Sequence, residues 1–265
     1  MLLDHVSRRF RQVLRYSEGI CGLKDDDIIL ASFPKSGNTW VRFFLCNLIS
    51  IAEWGGRTVD FHAVDETMPE LGVDNLLRPW NHTVIPRFVK THRKCWNLFR
   101  GRRSVVVIRD PRDVMVSFYH FETAKLKPRF AGTFSEFIRH DKFGLPAWFS
   151  HFDSWIGNCS VVLTYEGLRK DDAAEFSRMF ESVGVSVRPE LTTQAARLAR
   201  FDKVREVEQK FGLSRKGVFD ANYNFSRQGK AGTWRDRFSE ADVAFYRAFC
   251  NGREETIEKY GYGKE

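Results

Sequence analysis

The sequence predicts an α/β fold, and three observations carry that prediction. Residues 28–33, 104–108 and 161–166 are short apolar runs rich in β-branched residues, the length of buried strands. After each comes a polar turn and then a run with apolar residues at helical spacing. Nothing in the composition marks a seam, so the 265 residues are read as one domain, 1–265.

The first strand and helix set the frame. In 28–52 the strand stops at Phe33, and the run from Asn38 onward is too long and too continuously apolar to be a strand. Trp40, Phe44, Leu48 and Ile51 fall on one helical face, with Val41, Leu45, Ile49 and Ala52 beside them. Between the two, Pro34-Lys35-Ser36-Gly37-Asn38-Thr39 supplies a glycine for close backbone approach, a lysine, hydroxyls and the open N–H groups of a helix N-terminus. These are the parts of an anion cradle. The lysine precedes the only glycine, so the stretch does not fit the G-x-x-x-x-G-K-[ST] loop of ordinary ATP sites.

Pro34 to Trp40 resembles the 5′-phosphosulfate loop of the cytosolic-type sulfotransferases, T-Y-P-K-S-G-T-T-W, with Ser32-Phe33 for Thr-Tyr and Asn38 for a threonine. The resemblance implies one α/β domain with a central parallel sheet flanked by helices and a P-loop-like strand-loop-helix. It also implies 3′-phosphoadenosine-5′-phosphosulfate (PAPS) as donor and 3′,5′-adenosine bisphosphate (PAP) as product, with no metal. Lys35, Ser36, Gly37, Asn38, Thr39 and Trp40 would hold the donor.

Residues 53–86 are rich in turn formers, including Gly55, Gly56, Pro69, Gly72 and Pro79, and predict a loop with short helical pieces. Trp80 and His82 in it would either line an acceptor pocket or pack under the loop. Residues 87–92 read as a short strand ending in Lys90-Thr91-His92, at the edge where parallel sheets present ligand groups. Lys-Thr-His resembles the family's catalytic K-T-H, which implies His92 as general base and Lys90 with Lys35 as candidates for meeting charge on the leaving phosphate. The continuation Arg93-Lys94-Cys95-Trp96 departs from the family's leucine- and proline-rich segment, which bears on the acceptor.

After the strand at 104–108, Arg109-Asp110-Pro111-Arg112-Asp113 leads into a helical run from Val114 to about Lys125, with Pro111 placed to start it. This region resembles the family's 3′-phosphate motif, implying Arg109 and Ser117 as ligands. Asp110 after an apolar strand also fits the magnesium ligand of a P-loop kinase, against which the preceding arginine weighs. Residues 133–157 predict two helices whose aromatic stripe reads as core. In the resembled family this region packs beside the acceptor pocket, which implies Phe121, Phe143 and Trp148 as candidates to touch substrate. The segment at 161–166 resembles the family's L-x-Y-E-D-L, implying that Tyr165 contacts the adenine side.

Helical patterns dominate 171–210, broken at Gly184 and Pro189, and Phe201 is the surviving match to the family's S-F-x-x-M. Residues 211–233 predict a long loop with few packing contacts, mobile without nucleotide and closing over it. In it Arg227, Gln228 and Gly229 resemble the family's R-K-G, implying 3′-phosphate ligands. Ser239 to Asp242 reads as the cap of a terminal helix. The animal dimerisation pattern is mostly lost here, as RDRFSEADVA, so that dimer is not carried over and the oligomeric state stays open.

The net charge of +8 comes from basic residues scattered among acids, with no basic tail or nucleic-acid module, which favours a small anionic ligand over nucleic acid. The five cysteines are odd in number and never in C-x-x-C, against a disulfide framework or zinc site and for a reducing, cytoplasmic setting. No run of about 18 apolar residues offers a membrane span; the pattern of residues 3–16 predicts an amphipathic helix, either packed on the domain or lying on a membrane surface. The reading that results is a sulfotransferase acting on a hydroxyl or amine of a small-molecule acceptor. A P-loop kinase and a non-catalytic nucleotide-binding module are the alternatives.

Overall fold

A computed structural model describes residue 17 and residues 19–214, 217–220, 223–226 and 229–263. Four strands, β1 (Ile28–Ser32), β2 (Phe88–Thr91), β3 (Ser104–Ile108) and β4 (Val161–Thr164), pair in parallel in the order β2-β1-β3-β4. Alternation of side chains across the sheet sends Ile28, Leu30, Phe88, Val105 and Val107 into one core, and Ile29, Ala31, Val89, Val106 and Ile108 into another. A sheet buried on both faces explains why its strands read as continuous apolar runs.

The helices divide between the faces. On the first lie α1 (Asn38–Glu53) and α2 (Phe61–Thr67). Further along the chain α6 (Tyr165–Lys170), α7 (Asp172–Ser182), α8 (Pro189–Leu198) and α9 (Phe201–Phe211) join them. Phe44 of α1 stacks on Phe176 of α7 with ring centroids 3.6 Å apart. The second face carries α3 (Pro111–Thr123), α4 (Phe134–Arg139), α5 (Leu145–Trp155), α10 (Glu240–Cys250) and α11 (Glu254–Lys259). Helix α3 starts at Pro111, the expected position, with Asp110 capping it by accepting from the Arg112 N–H. Ser239 and Asp242 form the expected reciprocal cap of α10.

The structure decides two open alternatives and changes one expectation. The 53–86 segment holds one helix, α2, and its Trp80 and His82 pack on each other 4.8 Å apart; His82 bonds Glu53 and Trp80 donates to the Ile85 carbonyl, the packing alternative. Phe143 and Trp148 belong to the aromatic core of the second face, while Phe121 faces the main cavity. The described parts of 211–233 are packed, with Phe219 stacked on Tyr223 at 4.3 Å and Phe225 against Phe61 at 5.6 Å. A few aromatics, Phe219, Tyr223 and Phe225, anchor this loop without a sustained period. The amphipathic segment 3–16 lies outside the described residues, among which no helix is long and apolar enough to cross a membrane.

At the amino end of the sheet, Arg87 bonds both oxygens of Asp27 at 2.8 and 2.7 Å and donates to the Gly22 and Leu76 carbonyls, all out of water. This pair joins the starts of β1 and β2. Arg87→Met leaves the Asp27 charge buried without its partner and is expected to lower unfolding free energy by about 3–5 kcal/mol. A urea midpoint shift well below that range would place little of the sheet's stability in the pair.

Candidate active site

The loop between β1 and α1 is shaped by two residues with left-handed backbone. Gly37, the N-cap of α1, has φ +109°, and a Cβ there would come within 3.1 Å of the Tyr165 ring. Lys35 takes φ +69°, an uncommon conformation for a residue with a side chain and one that costs on the order of 1 kcal/mol. The first turn of α1 has no side-chain cap and no acidic residue, so its N–H groups and helix dipole face whatever fills the cavity. Lys35, Gly37, Asn38, Thr39 and Trp40 all line a cavity of about 700 Å³; Ser36 is buried beneath the loop.

The Lys35 ammonium lies 4.1 Å from the centroid of Phe225 and 4.7 Å from that of Phe121, two rings that cover its path to solvent. From the end of β3, Arg109 stacks on the Tyr165 ring at 4.4 Å and donates to the Lys230 carbonyl at 2.9 Å, while its buried Nε has no partner. Ser117 lines the same wall, one helical turn from Asp113. Asp113, wholly buried, accepts from the Gly232 N–H, the Thr233 hydroxyl and the Trp234 N–H, drawing the C-terminal loop onto α3. Gly229 follows, its α-carbon so close to Phe201 that a Cβ would sit 2.6 Å from the ring. Phe201, Tyr165 and Gly229 thus join the cavity, and Arg227 and Gln228 lie outside the described residues.

His92 follows β2 and faces the cavity beside Lys90. Its Nδ1 donates to the Ser32 carbonyl at 2.8 Å, which leaves Nε2 as the lone-pair nitrogen of the neutral ring. Burial first, and then the Lys90 ammonium, push the imidazole down to about 4, with the Glu70 carboxylate opposing them. Behind it His151, 3% exposed, packs against Phe33 and Trp155; burial and the charge of His92 push it to about 3. Lys90 pairs with Glu70 at 2.8 Å.

Asp110 is committed elsewhere. Its carboxylate caps α3 and pairs through both oxygens with Arg112, at 3.0 and 2.8 Å, so neither oxygen faces the cavity as a kinase's magnesium ligand would. Among the described residues no group of three or more His, Cys, Asp or Glu side chains is gathered as a metal site. Sequence reasoning missed Glu70, Asp113, Phe225 and Arg42. Asp113 stood inside a recognised motif, but its role depends on a partner loop 119 residues away. Arg42 reads as one polar residue in an apolar helix, yet it crosses to Asp65 and the carbonyls of Val64 and Met68.

Residues 25–261 match the sulfotransferase domain family. The chain belongs to that family. This sulfotransferase is 26% identical over 239 residues to sulfotransferase 2A6 of Rattus norvegicus, covering 86% of this chain and 84% of the relative. Among solved structures, its fold is similar to retinol dehydratase in complex with retinol and PAP, with TM-score 0.67, 20% identity and coverage of 87% and 81% of the two chains. A mouse sulfotransferase complexed with PAP is similar at TM-score 0.62 and 20% identity, over 91% of this chain and 88% of that one.

The buried His151 and the half-buried His92 make stability depend on pH. Below about pH 6.5 the unfolded chain takes up a proton on each, whereas the folded chain holds both neutral down to about 4 and 3. Stability therefore falls as pH drops from about 6.5 toward 4, by up to roughly 1.4 kcal/mol per pH unit for each histidine. Urea midpoints recorded across that window should show the slope, and His151→Phe should flatten it; an equally steep slope in the variant would deny His151 a share.

Proposed function

We propose that this sulfotransferase moves a sulfuryl group from PAPS to a hydroxyl or amine of a small-molecule acceptor, by in-line transfer with His92 as general base. One observation supports the reading above the others. The Lys35 loop after β1, Arg109 after β3 and His92 after β2 line one cavity, although 74 residues of chain separate the first from the second. The residues fit the donor. Trp40 Nε1 and Arg109 Nε are buried donors with no protein partner, a state that costs about 1–3 kcal/mol each and that a polyanionic nucleotide would relieve.

PAPS, when bound, supplies the sulfuryl group and a leaving phosphate. The chain's own residues position and neutralise. Arg109 and Ser117 hold the 3′-phosphate side, while Trp40, Tyr165 and Phe201 enclose the base. Lys35 and the α1 N–H groups meet the 5′-phosphate, with charge growing there as the S–O bond breaks. Lys90, its charge answered by Glu70, ranks second to Lys35 in that role. Nε2 of His92 takes the acceptor proton as the acceptor oxygen or nitrogen bonds to sulfur, and the leaving phosphate keeps the electron pair. Phe61, Phe118, Phe121 and Phe219 give the acceptor half of the cavity an apolar wall.

His92→Ala should lose turnover by about 100-fold or more and keep its affinity for PAP. Full activity in that variant would remove His92 from the mechanism. Calorimetry should find PAP bound much more tightly than 5′-AMP, and Arg109→Ala should erase the preference; equal affinities in the unsubstituted protein would point to another nucleotide. Activity should persist in EDTA, whereas its abolition there would favour the kinase reading.

A further inference from the structure

Glu70 is the carboxylate nearest the proposed chemistry that the mechanism above leaves without a task. It lies between α2 and β2, where the chain runs alongside the sheet for one step. The Lys90 N–H donates to the Pro69 carbonyl at 2.8 Å and the Leu71 N–H to the Lys90 carbonyl at 2.9 Å, making Glu70 and Lys90 parallel bridge partners. The Glu70 N–H also donates to Asp74 at 2.8 Å, which closes the turn. Its Oε2 then accepts from the Lys90 ammonium at 2.8 Å, with both side chains less than one-fifth exposed. Lys90 and His92 are two residues apart in extended chain and so project to one side; all three line the cavity.

We propose that Glu70 is a positioning residue for the general base, pinning Lys90 and supplying the negative charge against which His92 takes up the acceptor proton. The proposal rests on His92 being that base. The charged and titratable groups facing His92 are Lys90 from its own strand, Arg42 from α1, His151 from α5 and Glu70. Lys94, beside His151, adds a further positive charge. Lys90 and Arg42 oppose a proton on the imidazole, as does burial, and Glu70 is the charged group among them that favours it. A base so enclosed is neutral and ready, but the imidazolium it must become is disfavoured. Glu70 answers that, and its own charge is secure: burial would raise its pKa, yet Lys90 and His92 hold it below the ordinary glutamate value.

The test uses two isosteric changes. Glu70→Gln keeps an acceptor for Lys90 and removes the charge; Lys90→Met removes the cation. In protein carrying isotope-labelled histidine, with the His92 resonance assigned by its loss in His92→Ala, Lys90→Met should move the His92 midpoint to higher pH. Adding Glu70→Gln to Lys90→Met should bring it back down, and Glu70→Gln alone should lower kcat by about tenfold while leaving PAP affinity within about twofold. Coincident midpoints for Lys90→Met with and without Glu70→Gln would overturn the coupling, whatever the activity. An unchanged kcat in Glu70→Gln would overturn its part in turnover. Full turnover in His92→Ala would instead overturn the reading of the base, a result the midpoints cannot imitate.

Discussion

Everything in the cavity depends on where β1 sits. As an inner strand it pairs with β2 through Ala31 and Thr91 and with β3 through Ser32 and Val107, so three strands reach the same carboxyl edge within a residue or two of each other. The chain leaves β1 toward β2 on one side and returns beyond it to β3 on the other, opening a crevice at the point where the order reverses. A slip of one residue in this register would turn every side chain of β1 to the opposite core and carry the phosphate loop away from Arg109. The bidentate pair of Asp27 and Arg87 guards that register from the other end.

How much of this was legible in the sequence follows from the range of the interactions. The strands, most helices and the anion loop were readable because each is written in consecutive residues: β-branched runs, a 3.6-residue period, Gly37 before a helix with no acidic first turn. The family resemblance placed Lys35, Arg109 and His92 for the same reason, as short motifs at strand ends. What stayed hidden were pairings between distant segments. Glu70 looks like one acid in a turn-rich stretch until the bridge to Lys90 brings it to the cavity. Phe121 could be singled out but not separated from Phe143 and Trp148, since one aromatic stripe serves both a core and a cavity wall. The loop beyond α9 looked unpacked because its anchors are single aromatics with no period.

The distribution of charge has one logic throughout. Buried acids here are structural when each oxygen has a donor: Asp113 receives two N–H groups and a hydroxyl from the C-terminal loop, Glu208 receives the Phe225 and Ser226 N–H groups, and Asp110 receives Arg112. These pairings bring the loop that carries Gly229 and Lys230 against α3, and the Asp113 carboxylate, which lines the cavity 3.7 Å from Arg109, is answered by all three of its donors. Buried donors without a hydrogen-bond partner, Arg109 Nε and Trp40 Nε1, belong to residues lining the same cavity.

The hydrogen bond from His92 to the Ser32 carbonyl ties that imidazole to the strand that carries the Lys35 loop. Its acceptor is main chain, so removing the Ser32 hydroxyl, itself 3.3 Å from Nδ1, leaves the carbonyl acceptor in place. The ring's tautomer is therefore inherited from strand pairing and not from a residue that mutation could change alone. Variation at this site is channelled: the apolar wall can diversify, residue by residue, around an imidazole nitrogen whose aim is set by the backbone, and a lineage or a designer can reshape that wall without having to re-aim His92.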